Sequence, residues 1–201
     1  MRIGVFGGSF DPVHEGHLRP IEDAAIRFGL SRVLYVPNRR SPHKTASPTD
    51  SRHRVAMLAL ALAGRSDWSI SFEELDREPP SFTLDTLRAF AARWPDAELW
   101  LLMGTDALAG FGGWKEPREI IRLARVGAFF REPYVGAGLI IPAVPGLADR
   151  LEVFDAGSVK ISSTDLREAL ERGESAEGKV PQTVAEYITK HGLYSPGTAR
   201  R

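Results

Sequence analysis

Short apolar runs alternate with longer segments of helical spacing along most of the chain. Residues 3–6 form an apolar run that stops at Gly7-Gly8, the mark of a buried strand followed by a turn. Residues 15–28 place Leu18, Ile21, Ala25 and Phe28 on one face of a helix, with Gly29 as its stop. The same reading predicts strands at 33–36, 68–72, 99–103 and 126–130, and a weaker one at 151–154. It predicts helices at 51–63, 83–93, 117–124, 164–172 and 183–191. Residues 38–49 are a polar, proline-containing loop, and 195–201 read as a frayed tail.

The predicted strands lack strict alternation of apolar and polar positions, so both faces of their sheet are expected to be covered. Strand–helix alternation from the start then predicts an α/β fold, a doubly wound parallel sheet of Rossmann-like type. One domain is expected over 1–194, with a small helical C-terminal part from about 162. No internal repeat or low-complexity linker divides it.

Composition narrows the class. The chain has 201 residues, 43% hydrophobic and 26% charged, as in a globular domain. A formal net charge of +0 argues against a general nucleic-acid binder. Cysteine is absent, so no disulfide framework or thiolate metal site is expected. No signal peptide is expected from the first residues, and no apolar run is long enough to span a membrane. A cytoplasmic protein is the expectation; monomer and homo-oligomer both fit.

The first loop carries chemistry. Glycines after a buried strand let a ligand approach the backbone, and the next helix points its free N–H groups and positive dipole end at the same place. Gly7, Gly8, Ser9 and Phe10 therefore read as part of an anion site, most simply a phosphate site. The spacing is neither the Gly-x-Gly-x-x-Gly dinucleotide fingerprint nor a Walker A loop. Instead His14-Glu15-Gly16-His17 opens the helix, with two imidazoles on one side and Gly16 between them leaving room for the phosphates. Imidazole can donate hydrogen bonds to phosphate oxygens. The alternatives are that one histidine caps the helix while the other packs, or that the two are metal ligands; no third ligand stands nearby.

Residues 161–167, Ile161-Ser162-Ser163-Thr164-Asp165-Leu166-Arg167, form a second block of this kind. Three hydroxyl residues before a helix suit N-capping. Hydroxyls, free N–H groups and an arginine also suit a second anion.

The run Gly8-Ser9-Phe10-Asp11-Pro12-Val13-His14-Glu15-Gly16-His17-Leu18 resembles the signature of the nucleotidylyltransferase superfamily, and Ser162-Ser163-Thr164 with Arg167 resembles its C-terminal motif. Members attack the α-phosphate of a nucleoside triphosphate and release pyrophosphate. The resemblance implies ATP contacts at Gly7, Gly8, Ser9, Phe10, His14, His17, Gly104, Asp106, Ile161, Ser162, Ser163, Thr164 and Arg167.

Four further segments resemble bacterial nicotinate mononucleotide adenylyltransferases: Val36 to Lys44, Arg77 to Leu87, Leu102 to Leu108 leading to Trp114, and Val180 to Ile188 with His191 to Tyr194. Ser41 and Phe82 depart from that family's usual proline and tyrosine, and residues 131–157 match weakly. Gly110, Gly112 and Gly113 suggest a flexible approach to Trp114. The resemblance implies nicotinate mononucleotide contacts at Ser9, Asn38, Lys44, Phe82, Thr83 and Trp114. The residue types suit that acceptor: Trp114 can stack on a pyridine ring, and a helix N-terminus at Phe82-Thr83 can bind a carboxylate. Asp106, which alone reads as an N-cap, would face ribose hydroxyls.

The implied reaction transfers AMP from ATP to nicotinate mononucleotide, releasing pyrophosphate. His14, His17, Lys44 and Arg167 would be its catalytic residues, and Mg2+ would enter with ATP rather than in a protein cage. Adenylyl transfer to nicotinamide mononucleotide or phosphopantetheine is the neighbouring alternative. A Rossmann-type dehydrogenase and a non-catalytic nucleotide-binding regulator stand further off.

Overall fold

The computed structural model describes residues 1–39, 49–130, 139–157 and 161–195. Six strands form one sheet in the order β3-β2-β1-β4-β5-β6, and every neighbouring pair is parallel. They are β1 (Arg2–Gly8), β2 (Arg32–Pro37), β3 (Trp68–Ile70), β4 (Glu98–Gly104), β5 (Ala124–Phe130) and β6 (Leu151–Asp155). The helices are α1 (Glu15–Phe28), α2 (Ser51–Leu62), α3 (Thr83–Arg93), α4 (Thr105–Ala109), α5 (Pro117–Leu123), α6 (Ser163–Glu171) and α7 (Gln182–Lys190).

Both faces of the sheet are covered, which is why its strands show no clean alternation. Phe6, Tyr35, Trp100 and Phe129 face a core filled by Leu18 and Ile21 of α1, Met57 and Leu58 of α2, Leu166 of α6, and Val184 and Ile188 of α7. Ile3, Val5, Leu34, Leu101 and Val126 face the other core, filled by Leu84, Leu87 and Phe90 of α3 and Ile120 and Ile121 of α5. The chain runs outward from β1 to β3 on one side and from β4 to β6 on the other. The order therefore reverses between β1 and β4, where such sheets open a ligand crevice at their C-terminal edge.

Gly29 ends α1 in the left-handed conformation at φ 59°, as its place after the helical pattern predicts. Three local readings change. The strand does not end before Gly7-Gly8: both glycines pair with Val36 and Pro37 as the last residues of β1, and the chain turns after them. The stretch before Trp114 is not an open glycine loop, because α4 and a 3-10 turn at Phe111–Gly113 occupy it. Buried Leu108 and Phe111 anchor both. The edge strand β3 is shorter than its apolar run, stopping at Ile70.

Candidate active site

A cleft of about 330 Å3 opens at the switch point. Gly7, Gly8 and Ser9 of the β1 end, His14 and His17 of α1, Gly104 and Asp106 of the β4 end, and Ser162, Ser163 and Thr164 of the α6 start all line it. Asn38, Thr83 and Trp114 line it as well. The two blocks read as phosphate elements thus meet in one cavity, beside the three acceptor candidates. A Cβ built on Gly7 would meet nothing within 4 Å, so its backbone faces open cleft.

Both histidines are positioned by the start of α1. His14 is the N-cap residue, in extended conformation, and its backbone N–H donates to Nδ1 of His17 at 3.3 Å. A ring nitrogen that accepts carries no proton, so neutral His17 holds its proton on Nε2 and presents that atom as a donor. The rings stack with centroids 3.8 Å apart. His14 and His17 are 1% and 8% exposed, held at the wall of the cleft rather than in bulk solvent. His17 rests edge-on against Phe10, and its carbonyl accepts from the Tyr35 hydroxyl. Gly16 also has a packing role. A Cβ there would sit 3.0 Å from the His14 ring and 3.2 Å from the Ile161 carbonyl, so glycine lets the segment before α6 close onto α1.

That closure is built from the second block. Ser162 caps α6 by accepting from the Asp165 N–H at 3.1 Å. Ser163 Oγ donates to the Pro12 carbonyl at 3.1 Å, and Arg167 Nη1 donates to the Asp11 carbonyl at 2.6 Å. Capping and cleft formation are therefore both true of this segment, divided among its residues. The N-termini of α1 and α6 border the same space, which favours a negatively charged ligand there. Among the described residues no group of three histidine, cysteine, aspartate or glutamate side chains converges to hold a metal ion. The cleft offers hydroxyls, imidazoles and backbone N–H groups instead.

At the other end, Asn38 follows β2 directly, and its Oδ1 is buried with no hydrogen-bond partner among the described residues. Thr83 is the first residue of α3, where N–H groups lack intrahelical partners. Trp114 is half-buried against Phe111. Asp106 is exposed in the first turn of α4, whose N-cap is Gly104, so Asp106 is not the cap.

Four candidates do not line the cleft. Phe10 is fully buried against Phe6, His17 and Tyr35, and supports the histidine rather than facing a ligand. Phe82 caps α3, with Lys115 Nζ 4.7 Å from its ring. Ile161 contributes its carbonyl to the Gly16 contact, and Arg167 reaches the loop before α1. Lys44 lies outside the described residues.

Two residues escaped the sequence reading. Glu74 lines the cleft, buried, accepting from Thr86 Oγ1 at 2.9 Å while Arg77 Nη2 donates to the same hydroxyl at 2.9 Å. Burial raises its pKa, partly opposed by the Thr86 hydrogen bond and the Arg77 charge. The other is Arg54, 1% exposed. A signal for it existed: Arg54 falls on the face of α2 that carries Met57, Leu58 and Ala61.

A parallel sheet of this order with two helix N-termini and a histidine pair at its switch point defines a phosphate-binding α/β protein of the nucleotidyltransferase kind. A model of the cytidylyltransferase-like family matches residues 5–169, and the chain belongs to that family. It is 40% identical over 196 residues to a probable nicotinate-nucleotide adenylyltransferase of Thermomicrobium roseum, covering 96% of this chain and 91% of that protein. It is 41% identical over 195 residues to a protein of the same description from Thermus thermophilus, covering 96% and 100%. In fold it matches the Plasmodium falciparum nicotinic acid mononucleotide adenylyltransferase complexed with NaAD at a TM-score of 0.75. That match covers 96% and 97% of the two chains at 19% identity.

Proposed function

We propose that this protein is a nicotinate-nucleotide adenylyltransferase, transferring AMP from ATP to nicotinate mononucleotide and releasing pyrophosphate. The observation that carries the reading is the meeting of Ser162, Ser163 and Thr164 with His14 and His17 in one cleft that also holds Asn38, Thr83 and Trp114. Near-full-length relatives described as nicotinate-nucleotide adenylyltransferases support the choice of acceptor. Residues 1–194 act as one catalytic unit in this reading.

The chemistry needs no covalent intermediate. An acceptor phosphate oxygen attacks the α-phosphorus in line, the bond to the bridging oxygen breaks, and pyrophosphate leaves with that electron pair. Catalysis of this kind rests on positioning and on stabilising charge as it develops. His17 Nε2–H and the His14 ring donate to the α-phosphate oxygens. Gly7, Gly8 and Ser9 let the triphosphate approach the backbone. The hydroxyls of Ser162, Ser163 and Thr164, with the α6 N-terminus and the Arg167 charge, hold the β- and γ-phosphates, and Lys44 assists on the acceptor side. Asp106, beyond Gly104, accepts from ribose hydroxyls. Trp114 stacks on the pyridine ring, Thr83 and Phe82 N–H groups receive the carboxylate, and Asn38 orients the acceptor.

Mg2+ suits this site as an ion carried by the triphosphate oxygens, since among the described residues no group of three histidine, cysteine, aspartate or glutamate side chains converges to cage it. When bound it would neutralise phosphate charge. The working enzyme is proposed to be cytoplasmic and independent of nucleic acid. No helix among the described residues is long and apolar enough to cross a membrane.

The test is pyrophosphate release from ATP, with no acceptor and then with nicotinate mononucleotide, nicotinamide mononucleotide or phosphopantetheine. Release that depends on nicotinate mononucleotide, with a higher kcat/KM than for the other two, is expected. Equal or greater efficiency with another acceptor would move the assignment to that substrate.

A further inference from the structure

The pairing of β1 with β2 runs out at the mouth of the cleft. Its last main-chain bond joins the Asn38 N–H to the Gly8 carbonyl at 3.0 Å. Beyond it Ser9 and Asn38 both line the cleft. The Arg54 side chain bridges them. Arg54 enters from α2 and donates from Nη1 to the Ser9 carbonyl at 2.7 Å, from Nη2 to the Asn38 carbonyl at 2.9 Å and from Nε to the Thr49 carbonyl at 2.8 Å.

A buried cation needs full compensation. Besides these carbonyls, Asp11 supplies the opposing charge, and burial pulls the Arg54 pKa down while Asp11 pushes it back up. The Asp11 carboxylate is itself fixed, accepting from the Thr49 N–H at 3.1 Å and from the Tyr194 hydroxyl at 2.6 Å. Ser9, Asn38 and Thr49 are thus referenced to one planar group. Nothing requires an arginine here for solubility or capping: α2 is capped by Asp50, which accepts from the Arg52 N–H at 2.8 Å.

We propose that Arg54 is a positioning residue for adenylyl transfer: its guanidinium sets the separation between the Ser9 loop and the Asn38 loop, and so the approach of the acceptor phosphate to the α-phosphorus. The assignment rests on the reaction given above. In-line attack needs the reacting atoms about 3–3.5 Å apart, and a displacement of about 1 Å costs on the order of 10²-fold in rate. Each substrate keeps its own contacts when the two loops shift relative to one another. The effect therefore falls on turnover more than on either binding step. Lysine cannot replace the fork, because one ammonium presents its donors from a single point.

The test is Arg54→Lys, which retains charge opposite Asp11. The expected result is a kcat lower by about 10- to 100-fold per binding-competent site, with KM for ATP and for nicotinate mononucleotide each changed less than about fivefold. Competent sites are counted by calorimetric titration with a non-hydrolysable ATP analogue, well below the melting temperature, so loss of folded protein does not pass for loss of turnover. A kcat within twofold of the original, or a loss carried by KM alone, overturns the assignment. If Arg54→Lys does not fold, Arg54→Gln, which removes the buried charge, takes its place under the same criteria. Failure of both to fold marks Arg54 as structural only and also overturns it. The unaltered enzyme, assayed first, separates the two claims: without acceptor-dependent pyrophosphate release the reaction itself falls, before any variant is made.

Discussion

Arg167, one turn inside α6, donates to the main-chain carbonyl of Asp11 at 2.6 Å, tying the end of the fold to the loop between β1 and α1. The same side chain reaches Thr164 Oγ1 at 3.4 Å. Its side chain thus ties the start of α6 to the loop before α1. Arg167→Lys keeps a charge but loses the fork that makes both contacts. Turnover is expected to fall about 10²-fold, with KM for ATP raised more than KM for the acceptor. The melting temperature should also fall, since a hydrogen bond to a charged group is worth about 1.5–3 kcal/mol. Steady-state kinetics and a thermal melt check both; unchanged turnover with a lowered melting point would leave Arg167 a purely structural tie.

His17 is the donor whose tautomer the fold sets, through the His14 N–H at its Nδ1. His17→Ala is expected to reduce kcat by about 10²–10³-fold, the scale of removing one well-placed donor from a developing negative charge. Single-turnover kinetics at saturating ATP give the number directly. Near-normal turnover would remove the histidine from the mechanism.

Trp114 lines the cleft and is held by Phe111, with ring centroids 5.3 Å apart. Trp114→Ala is expected to raise KM for nicotinate mononucleotide about tenfold or more, given roughly 0.5–1.5 kcal/mol for an aromatic pair beyond the area it buries. KM for ATP should change little. Equal increases for both substrates would refute the stacking role.

Glu74 gives a stability prediction whose sign follows from its burial. Its pKa in the folded protein is raised above the ordinary 4.5, so the folded state holds the proton where the unfolded chain has released it. Its contribution to stability therefore falls as pH rises from about 4.5 through the raised value, and levels off above it. Glu74→Gln removes this term. The difference in unfolding free energy between variant and original, from urea titrations at several pH values, should shift in favour of the variant as pH rises across that window. A pH-independent difference would mean that Glu74 does not titrate there.

Much of the architecture was legible along the chain. The apolar runs at 3–6, 33–36, 99–103 and 126–130 become the four central strands, because strands covered on both faces need no polar positions and so stand out as unbroken runs. The helix at 15–28 was readable to its last residue, since Gly29 permits the conformation that ends it. The shortest elements were not: α4, of five residues, and the 3-10 turn, of three, span too few residues for periodicity to register, and glycines there looked like flexibility.

For the site, His14, His17, Ser162, Ser163 and Thr164 were legible as candidates from the chain alone, because imidazoles and hydroxyls at helix starts are the residue types that suit an anion. What the tertiary structure alone decided is how they are held. Arg54 and Arg167 bond to carbonyls of Ser9, Asn38, Thr49 and Asp11, and Gly16 makes room for the carbonyl of Ile161. Every residue carries a carbonyl, so no side-chain pattern marks which of them will meet a guanidinium. Only the fold brings those oxygens to one place.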